Sequence, residues 1–399
     1  MDTRTRIVEF VRHSPGASRG EIAEALGLPR TTVTGAVAQL LRSGELVAMD
    51  AEGGRPLRGR GRHPLRVVGD TPALGLVRWR TGTVRAEIVT RAGMLDHAGT
   101  VLADHSLPAP DPATGADGLD PIVDALLGMA ADLPHHCLTG VVISAPAPFL
   151  RGTGTPAEHS RSNGLPQGFR LTEPGDLDAH FSQRHGVEFR TENNANLAAL
   201  GELHASPDHQ SRAPEDFVYV KLSNDGLGSA VVVNHRLVRG RRGFAGEIAH
   251  LQLDPHGPLC HCGGRGCLWL RMLDLVTGRV APPQTASATQ GRQAFDVERV
   301  ARLAEQGDAG AVRILTDVGR LLGAPLGHLS TALDPDCIIV DTSIGPAVEH
   351  VLAGCREALS VYSPPAIAHH LEVRPSALGA RAELLGALEL PREETRGKR

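Results

Sequence analysis

Gly246-Glu247-Ile248-Ala249-His250, followed by Cys260-His261-Cys262-Gly263-Gly264-Arg265-Gly266-Cys267, is the most informative stretch of the chain. Three thiols at spacings of two and five, with glycines between them, can fold around one ion. Tetrahedral zinc needs a fourth ligand, and His250 or His261 can supply it. A Cys₃His set is closed, so such a site is structural and does not activate water. The other cysteines, Cys137, Cys337 and Cys355, stand alone and read as core fillers. In a cytosolic chain a tight cysteine cluster points to metal before disulfide.

On either side of this stretch the texture is α/β. Strand-like runs at Ala86–Val89, Gly140–Ser144, Val218–Leu222, Ala230–Val233 and Cys337–Val340 alternate with Ala/Leu-rich helical segments at Pro121–Asp132 and Ala311–Leu322. Pro282–Gln290 reads as a loop and Pro391–Arg399 as a frayed tail. No short internal repeat is visible.

The first 45 residues or so differ in kind. Ile7, Val8 and Val11 form an apolar stripe in Arg4–His13, and Ser14-Pro15-Gly16 breaks it. Ser18-Arg19-Gly20-Glu21 has the spacing of a capping box. Ile22, Ala25 and Leu26 give the next helix its buried face. Gly27-Leu28-Pro29 turns the chain, and Val33, Val37, Leu40 and Leu41 repeat at helical spacing. Ser43-Gly44 ends that helix, Leu46–Met49 reads as a strand, and Glu52-Gly53-Gly54 turns back. Helix, turn, helix and strand pair make the winged helix-turn-helix plan. Its second helix presents Arg30, Thr31, Thr32 and Thr34 to a major groove, where Arg reads guanine with two bonds and Thr takes base edges, the thymine methyl or phosphate. Residues 53–66 hold five Arg and no acid, among them Arg55, Arg58, Arg60 and Arg62. This stretch is an arm for a narrow, negative minor groove or a solvated linker.

The chain has 399 residues, 41% of them apolar and 22% charged, which fits two or three globular domains and excludes wholesale disorder. No apolar run approaches the roughly 20 residues of a membrane span, and the amino terminus lacks a secretory signal, so the expectation is a cytoplasmic protein without a membrane partner. Net charge is −4, but residues 1–69 carry 11 Arg against 7 acids, or +4, which leaves −8 for the remainder. Only two lysines occur, Lys221 and Lys398. Aromatics at 3% argue against a base-stacking single-strand binder.

Together these pieces resemble the ROK family (repressors, open reading frames and sugar kinases), in its transcriptional-regulator branch. The likeness runs from the winged helix and Gly53-Gly54-Arg55-Pro56 through Ser144-Ala145-Pro146-Ala147-Pro148, Asn163-Gly164-Leu165-Pro166 and Glu192-Asn193-Asn194-Ala195-Asn196. It ends with the two signatures quoted at the outset. The resemblance implies His250, Cys260, Cys262 and Cys267 as structural zinc ligands, with His261 a bystander. It implies an α+β multidomain fold in which the head precedes two α/β lobes of ribonuclease-H/actin-like type. The expected boundaries are 1–52 for the head, 53–71 for wing and linker, 72–193 for a first lobe completed by about 375–392, and 194–374 for a second lobe with the zinc site and dimerisation surface. A homo-oligomer, dimer or tetramer, is expected.

The resemblance also bears on chemistry. The family's kinases carry an Asp as general base where this chain has Asn194, and an amide cannot accept that proton. In place of the phosphate loop after the first strand stands Gly75-Leu76-Val77-Arg78-Trp79-Arg80-Thr81-Gly82, with Arg78 where an Asp would orient magnesium. The second loop reads Asn224-Asp225-Gly226-Leu227-Gly228, and Asp341-Thr342 replaces a late Gly-Gly. The carry-over places Asn193, Asn194, Glu247 and His250 at an effector's hydroxyls. Trp269, where the family has Glu, either stacks on a sugar or plugs the cleft. The expected function is a sequence-specific regulator of double-stranded operator DNA, a repressor rather than an activator, not an enzyme, responding to a sugar or related molecule. Two alternatives are a sugar kinase with a DNA-binding head and an effector-independent regulator with a vestigial cleft.

Overall fold

The structure, a computed structural model, describes residues 3–13, 17–48, 65–67, 71–80, 83–91, 99–108, 117–133, 136–150, 153–155, 176–204, 214–260, 262–278 and 295–397. It divides into two compact units, 1–74 with 127–139, and 75–126 with 140–399.

The first unit carries the head: α1 (Thr3–His13), α2 (Arg19–Leu26), α3 (Arg30–Arg42), β1 (Leu46–Ala48) and β2 (Leu65–Val67). The expected capping box is formed. The Glu21 amide donates to Ser18 Oγ at 3.4 Å and the Ser18 amide to Glu21 Oε2 at 2.7 Å, which satisfies two amides the helix start would leave open. Gly27, at φ +64°, ends α2 in the left-handed region, where a side chain would be strained. Ile7, Val11, Ile22, Val33, Val37, Leu40, Leu46 and Leu65 form one apolar core. Ala25 is exposed and Ala23 takes its expected place inside, because the apolar face of α2 runs through Ile22 and its neighbour. The basic arm is shorter than the sequence suggests. Leu65 and Arg66 belong to β2, which pairs antiparallel with β1 in the register Leu46↔Val67 and Ala48↔Leu65. Buried Leu65 gives this pairing an apolar anchor.

Two five-stranded sheets carry the rest. The first uses β3 (Thr71–Arg80), β4 (Thr83–Arg91), β5 (Gly99–Pro108), β6 (His136–Ala145) and β7 (Phe189–Asn193), with α4 (Asp120–Ala131), α5 (Leu177–His185) and α6 (Asn194–His204) between and after them. The second uses β8 (Phe217–Ser223), β9 (Gly226–Val233), β10 (Arg236–Val238), β11 (Cys337–Val340) and β12 (Glu372–Pro375). Its helices are α7 (Leu268–Gly278), α8 (Val297–Glu305), α9 (Ala309–Leu333), α10 (Val348–Tyr362) and α11 (Pro365–Ala368), and α12 (Ala382–Gly397) ends the chain.

The strand orders are β5-β4-β3-β6-β7 and β10-β9-β8-β11-β12. Both follow the same path: the first strand is central, the next two extend one side, and the last two the other. Each sheet joins an antiparallel pairing on one side (β4 with β5; β8 with β9) to parallel pairing on the other (β6 with β7; β8 with β11 with β12). The two sheets thus repeat one topology, which leaves no trace as a short sequence repeat. Helices α9 and α10 pack so closely that a Cβ on Gly319 would meet the Val351 carbonyl and one on Gly354 the Thr316 carbonyl. Helix α12 runs to Gly397 with Pro391 inside it, in contrast to the frayed tail expected there, and Leu384, Ala387 and Leu390 bury its inner face. Pro282–Gln290 lies outside the described residues. Among the described residues no helix is long and apolar enough to cross a membrane.

Asp178, in the first turn of α5, is buried and accepts a 2.7 Å hydrogen bond from Thr191 Oγ1. Burial pushes its carboxyl up to about 7 from an ordinary 3.8. The folded state therefore keeps a proton that the unfolded chain releases, so this group's contribution to stability is full below pH 3.8 and is lost as pH rises to about 7. Asp178→Asn is expected to remove this group's share of the pH dependence of stability across that window, a few kcal/mol at most, and so to flatten the pH dependence of the melting temperature. Melts at pH 4.5 and 7.5 check this, and parallel shifts of variant and wild type would refute it.

Candidate functional site

Three sets of side chains carry the chemistry. The first is the outer face of α3. Its inner face buries Val33, Val37 and Leu40, so helical geometry turns Arg30, Thr31, Thr32 and Thr34 outward, and all four are exposed. The Thr34 hydroxyl donates to the Arg30 carbonyl at 2.7 Å. The strand pair β1–β2 follows directly, as in a wing. Arg55, Arg58, Arg60 and Arg62 lie outside the described residues.

The second set is the cysteine stretch. His250 ends a single helical turn at Ile248–His250, and the chain returns through short bridges, Gln252 with Cys267 and Leu259 with Arg265. Ligand atoms of His250, Cys260, Cys262 and Cys267 all lie within 4.8 Å of one another. Cys262 Sγ is 3.6 Å from Cys267 Sγ, and Cys260 Sγ is 3.7 Å from His250 Nδ1. A tetrahedron with zinc–sulfur bonds of about 2.3 Å has edges of about 3.8 Å, so this donor set fits a tetrahedral ion. Gly266, at φ +54°, closes the loop where a Cβ would strike the Asp254 carbonyl. Burial pushes the Cys267 thiol up to about 12 and raises Cys260 as well. Thiols so placed ionise only against a cation. Of the two histidines open to the sequence, His250 is in the cluster, and His261 lies outside the described residues.

The third set surrounds a cavity of about 50 Å³ lined by Asn193, Asn194, Lys221, Ser223, Asp225, Gly226 and Glu247. The Glu192–Asn196 segment that feeds it is mostly consumed by its own architecture. Asn193 Oδ1 accepts from the Ala195 and Asn196 amides at 2.8 and 3.2 Å, and its Nδ2 donates to the Ala147 carbonyl at 3.1 Å. Glu192 accepts from Asn196 Nδ2 at 2.8 Å and from Arg239 Nε at 2.6 Å. Asn193 is therefore the cap of α6. Asn194 is buried and Glu247 half-buried, and neither side chain hydrogen-bonds another described residue. Burial pushes the Glu247 carboxyl up to about 7. Both side chains line the cavity. His250 does not line this cavity. It faces a separate groove with Arg241, Arg242 and Phe244. Trp269 lies behind the β8–β9 turn, 3.5 Å from a Cβ built on Gly226, with its ring 4.9 Å from that of Phe295. It buttresses the pocket's floor.

Sequence reading singled out Arg78, but Arg80 is the arginine that bridges the cleft. It pairs with Glu383 and, at 3.5 Å, with Asp225. Lys221 Nζ lies 3.5 Å from Asp341 and 3.7 Å from Glu383. Successive strand residues point to opposite faces, so Arg78 and Arg80 share one, and both line the cavity beside Glu383. The one hint in the sequence was Lys221, a lone lysine within a strand of an otherwise Arg-based chain. Burial works against the charge of Glu383, but Arg80, Lys221 and Arg78 outweigh it and hold the carboxyl at about 2.

The matching sheets, the Cys₃His cluster at one edge of the cleft and the amino-terminal helices define a protein of actin-like sugar-kinase fold with a helix-turn-helix head. The chain belongs to the ROK family, whose profile matches residues 88–394. Over 97% of its length it is 27% identical to the xylose repressor of Bacillus spizizenii, covering 93% of that protein. Over 48% of its length it is 32% identical to the N-acetylmannosamine kinase of Yersinia pseudotuberculosis, covering 64% of that enzyme. In fold it resembles a solved ROK family transcriptional regulator, a homologue of the E. coli MLC protein, with a TM-score of 0.64, 21% identity, and coverage of 98% of this chain and 95% of the other.

Proposed function

We infer that the chain is a sequence-specific transcriptional repressor whose operator affinity answers to a sugar. The observation that carries this is α3, which buries Val33, Val37 and Leu40 and leaves Arg30, Thr31 and Thr32 exposed at its amino-terminal end. The likeness to xylose repressors extends through that head as well as the lobes, and it makes D-xylose the first effector to test. The working division is a head through Val67, a first lobe on β3–β7 and a second on β8–β12 with the metal cluster. The ion is zinc, held by His250, Cys260, Cys262 and Cys267. It supplies a fixed anchor for the return loop and no reacting water. The chain acts as a homo-oligomer that presents two heads to two half-sites. A sugar shifts operator affinity by as much as it prefers one lobe arrangement over another.

Phosphotransfer is not part of this reading. Asn194 stands where the resemblance puts the base, and Asp341 accepts from Tyr219 Oη at 2.8 Å and from the Ser343 amide at 2.7 Å, a carboxylate where phosphate oxygens would lie. The decisive experiment mixes purified protein with duplex fragments at low ionic strength, and separately with ATP, magnesium and hexoses. Salt-sensitive, sequence-selective DNA binding without nucleotide turnover is expected. Turnover without DNA binding would overturn the reading. Arg30→Ala is expected to weaken operator binding by about 1–3 kcal/mol and to relax preference at one base pair. Binding to operator and to scrambled duplex checks this, and an unchanged ratio would exclude base reading by Arg30.

A further inference from the structure

We propose that Arg80 is a tethered cation that latches the two lobes shut across the former nucleotide cleft, and that an effector sugar enters only as this latch yields. The inference rests on the sugar-responsive reading for the identity of the effector, but not for the latch itself.

Three observations carry it. First, the contacts cross the lobes. Glu383, in the first turn of α12, accepts from Ser144 Oγ of β6 at 2.6 Å and from Arg80 of β3, and lies 3.7 Å from Lys221 of β8. Arg80 in turn reaches Asp225 in the β8–β9 turn of the other sheet. Second, the cluster is close to balanced and mostly buried. Arg80 and Lys221 face Glu383, Asp225 and Asp341, and the side chains of Lys221, Asp341 and Glu383 are at most 7% exposed. A cluster of this kind resists loss of one member, because the partner is left charged and buried. It also fills with protein charge the place where a polyanion and its metal would sit. Third, the two neighbouring cavities share walls. Lys221, Ser223 and Asp225 line both the 50 Å³ cavity at Asn194 and Glu247 and a second one of about 370 Å³ beside Arg78, Arg80 and Glu383. Among the described residues, the first cavity, at about 50 Å³, is far smaller than the roughly 300–1,000 Å³ of small-molecule sites. A sugar ring fits only if the β8–β9 turn, which brings Asp225 and Gly226 to the wall, moves away from Asn194 at the start of α6. Asp225, on that turn, is what Arg80 holds.

Hydrogen–deuterium exchange on the full chain tests this without sugar or DNA. In Arg80→Gln, amides of residues 219–228 and of the first turn of α12 are expected to exchange about tenfold faster or more, as befits a lost charge-assisted pair. Strand β11, which lies between β8 and β12, should keep its wild-type rates. Should that variant fail to fold, Arg80→Lys replaces it, with a smaller change at the same segments. Wild-type rates at both segments in whichever variant folds would overturn the latch. A second arm adds D-xylose. Faster exchange of the α12 first turn in wild type, with no further change in Arg80→Gln, supports coupling of sugar and latch. If exchange in Arg80→Gln is fast but calorimetry finds no sugar in a panel that binds wild type, the latch stands and the sugar-sensing reading fails. If sugar binds wild type and leaves both segments unchanged, the coupling is refuted.

Discussion

Cys262→Ser is expected to yield a protein without its metal and markedly less stable than wild type. Cys262 and Cys267 supply one edge of the cluster at 3.6 Å, and Cys260 and His250 the other at 3.7 Å. Three remaining ligands cannot close a tetrahedron, and the hydroxyl is a poor donor to a soft divalent ion. Structural zinc contributes about 10–16 kcal/mol of apparent free energy in small zinc-folded peptides. In a chain with a large core of its own the loss is smaller, about 3–5 kcal/mol, because only the return loop and the packing of α7 depend on the ion. For domains of this size that lowers the melting temperature by roughly 10 °C. Metal analysis should find one equivalent in wild type and none in the variant, with the lower melt tracking the loss. Cys137→Ser is the control and should keep the ion, since that thiol lies outside the cluster and is exposed, not in the core where it was expected with Cys337 and Cys355. Wild-type protein that holds no metal yet melts no lower than a zinc-loaded sample would remove the site.

How much of this was legible beforehand depended on whether the physics was local. The head was: capping box, left-handed glycine and apolar spacing are rules over a few residues, and Ser18, Glu21, Val33, Val37 and Leu40 fell as expected. The error there, Ala25, was a phase error of two positions on a short helix with Ile22 and Leu26 to fix its face. The three clustered thiols were legible because their spacing is itself a sequence property, whereas the choice of His250 over His261 came from the family resemblance. The shared topology of the two sheets was not legible, since it resides in strand order and pairing, which unrelated apolar runs satisfy equally well. Nor was the ion cluster. Arg80, Lys221, Asp225, Asp341 and Glu383 are up to 303 residues apart in sequence, and no local pattern announces a pair that the fold alone brings together. The Asn193 assignment shows the converse hazard. A motif resemblance places it among effector ligands and it does line the cavity, but its amide also caps α6 through the Ala195 and Asn196 amides and donates to the Ala147 carbonyl, a structural role the motif did not announce.

That distinction separates two substitutions in the same cavity. Glu247→Ala is expected to weaken binding of the effector sugar by about a hundredfold and to leave operator binding without sugar unchanged. The Glu247 carboxylate is unpaired among the described residues and lines the cavity beside Asn194. Two sugar hydroxyls donating to a carboxylate are together worth about 3 kcal/mol, near the low end for bonds to a charged group, which sets the hundredfold figure. The cost falls on binding because nothing in the sugar-free fold depends on this side chain. Asn193→Ala, by contrast, removes the cap of α6, so its loss of about 1 kcal/mol shows in the melt with or without sugar. Calorimetric titration of both variants, beside thermal melts and operator titrations, tells the two apart. If Glu247→Ala binds sugar as wild type does, the carboxylate is not a ligand and the effector cavity lies elsewhere. If it loses sugar and stability together in the proportions of Asn193→Ala, its role is structural.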